Sequence, residues 1–159
     1  MSFVTLDTVY KRYHMGEVTI NAADGMTFDI EKGEFVINLT PSSLAKKADL
    51  CGMYTGKKVD KFKECGFTKE KATKIDAPMI SECPISIECK VTDVIELGSH
   101  HMFLADIVAL NVSEELLDSE GKLRIERADL CAYAHGDYFA LGKKLGKFGF
   151  SATKKKKRR

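Results

Sequence analysis

Two apolar runs separated by a glycine turn constrain this chain more than anything else in it. Ile85, Ile87, Cys89 and Val91 alternate with Ser86, Glu88 and Lys90. A period of two puts those sets on opposite faces of a strand and is incompatible with a helix. Residues 94–97 extend the run, and residues 102–110 form a second strand-like run of comparable strength. Gly98-Ser99 lies between them as a turn, so an antiparallel pair is predicted here.

The remainder follows the same logic. Residues 3–9 alternate, as do 18–22 and 26–30, with Asp24-Gly25 as a turn between the last two. A further turn at residues 31–33 precedes the continuous apolar run 34–39, the pattern of a strand covered on both faces. Helical signals come next. Thr40 suits an N-cap and Pro41 a first helical position, while Leu44, Ala48 and Cys51 share one face before Gly52. Residues 59–64 predict a short second helix stopped at Gly66. Residues 67–84 read as a polar loop through Ala77-Pro78 and Cys83-Pro84, residues 118–121 as a turn, and 133–151 carry no regular period. Strands joined by turns and two short helices predict a mainly β domain, a small barrel or sandwich.

Composition narrows the function classes. No run approaches the roughly 18 apolar residues a membrane-spanning helix needs, and no signal peptide is visible, so a cytoplasmic location is expected. The six terminal cations of residues 154–159 exceed the net charge of +2, leaving the rest of the chain acidic. A nucleic-acid-binding domain would carry its basic stripe on the fold, so no nucleic-acid partner is expected and the tail reads as a solvated, disordered terminus. The five cysteines include no C-x-x-C pair, so no metal site is predicted and the thiols are read as small apolar residues.

Ordered motifs go further. Gly33-Glu-Phe-Val-Ile-Asn-Leu-Thr40 is followed by Ala48-Asp-Leu-Cys-Gly52, Val59-Asp-Lys-Phe62, Ala77-Pro-Met-Ile80 and Ile87-Glu-Cys-Lys-Val91. Glu96-Leu-Gly-Ser-His-His-Met-Phe103, His135-Gly-Asp-Tyr-Phe139 and Leu141-Gly-Lys-Lys-Leu-Gly-Lys-Phe-Gly-Phe-Ser151 complete the series. From about Glu34 onward the chain resembles the flavin reductase-like, FMN-binding split-barrel family. The resemblance implies a Greek-key split barrel, a homodimer, and FMN at or near the subunit interface. It also implies an oxidoreductase that passes hydride from NAD(P)H to flavin, or uses the flavin as an electron carrier. In such proteins the cofactor does the redox chemistry and the protein binds and tunes it.

Three residues fall at flavin-pocket positions of that family. Lys61 would offer a cation to the phosphate or to an electron-rich ring edge. His100 would hydrogen-bond the flavin or approach a nicotinamide, and Tyr133 would pack against the ring system. No catalytic residue is assigned. One stretch departs from the family: where it tends to show Ser-Gly-Arg-Asp, this chain has Thr55-Gly56-Lys57-Lys58. The bidentate geometry of arginine is lost there, and an aspartate has become a lysine.

Residues 1–33 lack the family's N-terminal motifs, so that half of the barrel is expected to be replaced. They resemble instead the start of an ABC transporter ATPase: Leu6-Asp-Thr-Val-Tyr-Lys-Arg-Tyr13, Met15-Gly-Glu-Val18 and Phe28-Asp-Ile-Glu-Lys-Gly-Glu-Phe-Val36. The aromatic of those ATPases that stacks on adenine corresponds to Tyr13, which is read here as a strand-end tyrosine in preference. An ATPase needs glycines and a lysine to cradle phosphates just after this point. The chain has Asn38-Leu-Thr-Pro-Ser-Ser-Leu-Ala-Lys-Lys47 instead, which excludes ATP hydrolysis. The expected organisation is an ABC-ATPase-like β-hairpin segment (1–33), a partial split-barrel domain (34–153) and a basic tail (154–159). The leading expectation is a flavin reductase-like protein whose FMN binding is impaired by the replaced half. The alternatives are a catalytically silent dimerisation or scaffold module and an ATP-binding fragment.

Overall fold

The computed structural model describes the backbone of residues 4–15, 18–30 and 33–152, and the side chains of residues 33–152. The expectations for the Tyr13 side chain and for the 154–159 tail lie outside the described residues. The architecture is mainly β with short helices, as the turn and period pattern predicts. Among the described residues, no helix is long and apolar enough to cross a membrane.

The central unit is a three-stranded antiparallel sheet of β3 (Glu34–Leu39), β6 (Ile85–Glu96) and β7 (His101–Val112), with β6 in the middle. The β6–β7 pair runs from Ile85 opposite Val112 to Glu96 opposite His101 and closes over Gly98-Ser99, where the turn was predicted. Register shifts beside Glu88 and between Val91 and Asp93 break the strict alternation along it. β3 pairs with β6 from Glu34 opposite Lys90 to Leu39 opposite Ile85. β3 is therefore an edge strand, and its Ile37 is 45% exposed. Its continuous apolar run predicted cover on both faces; among the described residues β3 pairs on one side only, with β6.

β1 (Val4–Met15) and β2 (Val18–Ile30) form their own antiparallel sheet. The turn expected at Asp24-Gly25 is absent: β2 runs through those residues, and register shifts beside Val9 and Lys11 absorb them. An Asp-Gly segment, though a strong hairpin signal, can also be taken up at an irregularity within a strand, and the long pairing with β1 decides between the two.

The first helical segment starts later than its capping signals suggest. Pro41 makes a bridge to Leu130, residues Ser42–Leu44 form a 3-10 turn, and α1 (Ala45–Met53) follows without a side-chain cap. Tertiary pairing at Pro41 holds the backbone extended, so Thr40 does not cap. α2 (Lys61–Cys65) obeys the local rules. The Asp60 carboxylate accepts from the Phe62 and Lys63 N–H groups, and Gly66 ends the helix in the left-handed region at φ 59°.

Residues 67–84 depart furthest from expectation. They contain β4 (Lys69–Glu70) paired with β5 (Met79–Ile80) and an apolar cluster of Ala72, Ile75 and Met79, packed by Val36, Ala77 and Val108. A second cluster holds Ile85, Leu116, Ala128 and Leu130, with Leu39, Val112 and Leu123 around it. Asn38 on β3 ties the pieces together: its Oδ1 accepts from the Ile80 N–H at 3.1 Å and the Ser86 hydroxyl at 2.9 Å. β8 (Cys131–Ala134) and β9 (Asp137–Ala140) make a final short hairpin.

Candidate functional site

The lysine-rich stretch that departs from the family pattern builds the most chemically distinct surface. Gly56, Lys57, Lys58, Val59, Asp60, Lys61, Phe62 and Lys69 line a groove of about 480 Å³. Its position follows from local folding. Asp60 is committed to capping α2, so its carboxylate is spent on two backbone N–H groups rather than on the lysines. Lys69, on β4, is held with its Nζ 4.8 Å from the centre of the Phe62 ring, a cation–π contact. Four lysines thus line one groove of a chain whose body is acidic.

Lys61 is the expected site residue that lies in this groove. Its Nζ also donates to the backbone carbonyl oxygen of Cys51 at 2.6 Å, bracing the end of α1 against the start of α2. Beside that contact the Cys51 and Cys65 sulfurs approach to 3.6 Å. Burial pushes the Cys51 thiol above its ordinary range, Cys65 adds to this, and the Lys61 ammonium opposes it.

The structure places His100 and Tyr133 elsewhere. His100 is exposed in the β6–β7 turn, where its Nδ1 lies 2.8 Å from the Ser99 hydroxyl and its carbonyl oxygen accepts from the Leu97 N–H. Tyr133, on β8, is 65% exposed and packs at 5.0 Å, tilted by 59°, against Tyr138 on β9. The Tyr138 hydroxyl is held above its ordinary pKa by burial first and then by the Asp49 carboxylate of α1. Among the described residues, no hydrogen bond or ring contact joins any two of Lys61, His100 and Tyr133.

The groove's other cations, Lys57, Lys58 and Lys69, were not singled out as site residues by sequence reasoning. The signal was present in the Lys57-Lys58 dipeptide, which reads as a lost arginine and aspartate until the fold brings Lys61 and Lys69 beside it. A second overlooked element is Glu88. Fully buried on the polar side of β6, it accepts from the Thr73 N–H, the Thr73 hydroxyl, the Lys74 N–H and the Asn111 amide, each at 2.7 Å. Burial alone would raise its pKa, but those donors outweigh it and hold the carboxyl down to about 2. The residue is a structural anion, saturated with donors.

Residues 21–142 match a protein family described as the flavin reductase like domain. The match therefore takes in part of β2 as well as everything from β3 to β9. Flavoredoxin of Desulfovibrio vulgaris superposes with a TM-score of 0.71 at 31% identity, over 77% of this chain and 67% of that one. A Shewanella frigidimarina protein described as having a split barrel domain superposes at 0.64 and 21% identity, over 74% and 60%, a likeness of fold alone. An uncharacterized protein of Archaeoglobus fulgidus is 29% identical over 90 residues, 57% of this chain and 51% of its own length. The chain spans about half the length of the curated relatives it matches first. The mainly β architecture with short helices is that of the split-barrel proteins.

Proposed function

The chain belongs to the flavin reductase like domain family, and we propose that it binds FMN and serves flavin-dependent oxidoreduction. The observation that carries this reading is the groove in which Lys57, Lys58, Lys61 and Lys69 converge. The donor set fits the group: a phosphate monoester is dianionic near neutral pH, and ammonium groups meet it as point charges without needing a fixed fork. The one carboxylate of the groove, Asp60, accepts through its Oδ1 from the first N–H groups of α2, and four lysines outnumber it.

In this reading Lys57, Lys58 and Lys69 gather the phosphate, while Lys61, fixed to Cys51, sets the groove's inner wall. Tyr133 offers an aromatic face and His100 an imidazole nitrogen to the ring side. When bound, FMN supplies the hydride- and electron-accepting centre, with NAD(P)H as the donor. The protein's own part is to bind, orient and shield. A second copy of the chain would complete the shielding, because β7 leaves Met102, Leu104, Ile107 and Leu110 exposed on the edge of the sheet. A homodimer is accordingly part of the proposal, and those same exposed apolar residues favour the rival reading, a silent dimerisation module.

The purified protein titrated with FMN separates the two. Quenching of flavin fluorescence, a retained yellow colour after gel filtration and bleaching on anaerobic addition of NADH or NADPH are expected. A dimer that stays colourless and leaves FMN fluorescence unchanged at saturating flavin would leave only the silent module.

A further inference from the structure

We propose that Cys51 and Cys65 are a redox-modifiable pair that closes reversibly into a disulfide joining α1 to α2. The sulfurs are already in contact at 3.6 Å although the residues lie 14 positions apart, on separate helices. Each is held toward the other. The Lys61 ammonium grips the Cys51 carbonyl oxygen at 2.6 Å, and the Cys65 sulfur also reaches the Lys47 carbonyl oxygen at 3.8 Å. Gly66, immediately after Cys65, takes the left-handed conformation that stops α2 there. None of the other three thiols is paired in this way: among the described contacts the Cys89 sulfur reaches only a carbonyl oxygen, and Cys83 and Cys89 are buried in other parts of the chain.

The chemistry balances with a peroxide as oxidant. Cys51, the more accessible of the two, attacks one oxygen of hydrogen peroxide as the thiolate, forming a sulfenic acid and releasing the other oxygen as water once protonated. The Cys65 sulfur then attacks the Cys51 sulfur and expels the second oxygen as water. Two thiols and one peroxide become one disulfide and two waters, and a dithiol reductant reverses the change. The Cys51 thiol sits above its ordinary pKa, so the first step is slow at neutral pH and quickens as pH rises. Neither the geometry nor the step requires flavin, so the proposal stands apart from the cofactor assignment. Its consequence falls on the groove, since the cross-link fastens the two helices between which Lys57 and Lys58 are suspended.

The test is peptide mapping of the whole chain before and after hydrogen peroxide, with free thiols alkylated in denaturant and the digest run without reductant. Trypsin cuts after Lys47, Lys57, Lys63 and Lys69, so the expected product is peptide 48–57 joined to peptide 64–69. Two fewer of the five thiols should then alkylate, and dithiothreitol should restore both. Cys51→Ser and Cys65→Ser should each abolish the joined peptide. In native protein, oxidation should slow tryptic cleavage after Lys57 and Lys58 several-fold. Five thiols still alkylatable after oxidation, or a joined peptide containing Cys131, Cys83 or Cys89 instead, would overturn the proposal. Because the decisive reading is made on the wild-type chain, a variant that fails to fold does not blunt it.

Discussion

Thr73 presents its backbone N–H and its hydroxyl to the same oxygen of Glu88, each at 2.7 Å, and so fastens the 67–84 segment onto the face of β6. With Lys74 and Asn111 completing the set, the carboxylate organises a stretch of chain that has little regular structure of its own. Glu88→Gln keeps the shape but places an amide where only acceptors are wanted. We expect a loss of about 2–4 kcal/mol at neutral pH, read by urea unfolding, because hydrogen bonds to a buried charge are lost and donors are left unmet.

The same residue sets an acid limit. Its folded pKa of about 2 lies below the ordinary 4.5, so the folded chain holds this proton less tightly than the unfolded chain does. The stability it contributes is complete above the unfolded pKa and drains away as pH falls from about 4.5 toward 2. Melting temperature followed across that window should fall in the wild type more steeply than in Glu88→Gln. Parallel curves would remove Glu88 as the source.

For the groove, neutralising one lysine at a time separates binding from scaffolding. Lys57→Gln, Lys58→Gln and Lys69→Gln should each weaken FMN roughly two- to fivefold, the scale of one exposed ion pair, and the effect should shrink in high salt. Lys61→Met should in addition lower stability by about 1–2 kcal/mol, because a charged donor to the Cys51 carbonyl oxygen is lost. Fluorescence titration and denaturant melts on the same four variants check both halves. Undiminished FMN affinity in all of them would move the phosphate elsewhere.

Gly33 sits where β3 begins, with φ at +66°, and a Cβ built on it would lie 2.6 Å from the Val91 Cβ. Gly33→Ala therefore meets both a backbone conformation that side chains resist and a clash with β6. A destabilisation of about 1–3 kcal/mol is expected by chemical denaturation. Gly98→Ala, at a similar φ but in open space, should cost less. Equal costs would show that the contact with Val91 has no share.

Tyr138 provides a spectroscopic check on how β9 meets α1. Asp49→Asn removes the negative charge that, after burial, holds the phenol above its ordinary pKa, so the phenolate absorbance should appear at lower pH. An unchanged ultraviolet titration would break the inferred contact between β9 and α1.

The local rules in the chain were sufficient for some of its regular elements. Period-two alternation and Gly98 specify the β6–β7 hairpin, and Asp60 with Gly66 specifies α2, because each signal acts over a few residues. The ordered motifs from Gly33 to Ser151 were likewise enough to recognise the family, since they record many local requirements at once. The same motifs singled out Lys61, which the fold places in the lysine-lined groove. What only the tertiary structure decided is what lies against what. Residues 67–84 look polar and unstructured until Ala72, Ile75 and Met79 are packed together, and Glu88 looks like a strand's solvent-facing carboxylate until that segment covers it. The edge position of β3, the meeting of Cys51 with Cys65 and the convergence of Lys57, Lys58 and Lys69 on Lys61 are of the same kind. Each depends on contacts between residues distant in sequence. Such contacts leave no periodic trace in a single chain, because their energy comes from burial and pairing that exist only once the chain has folded.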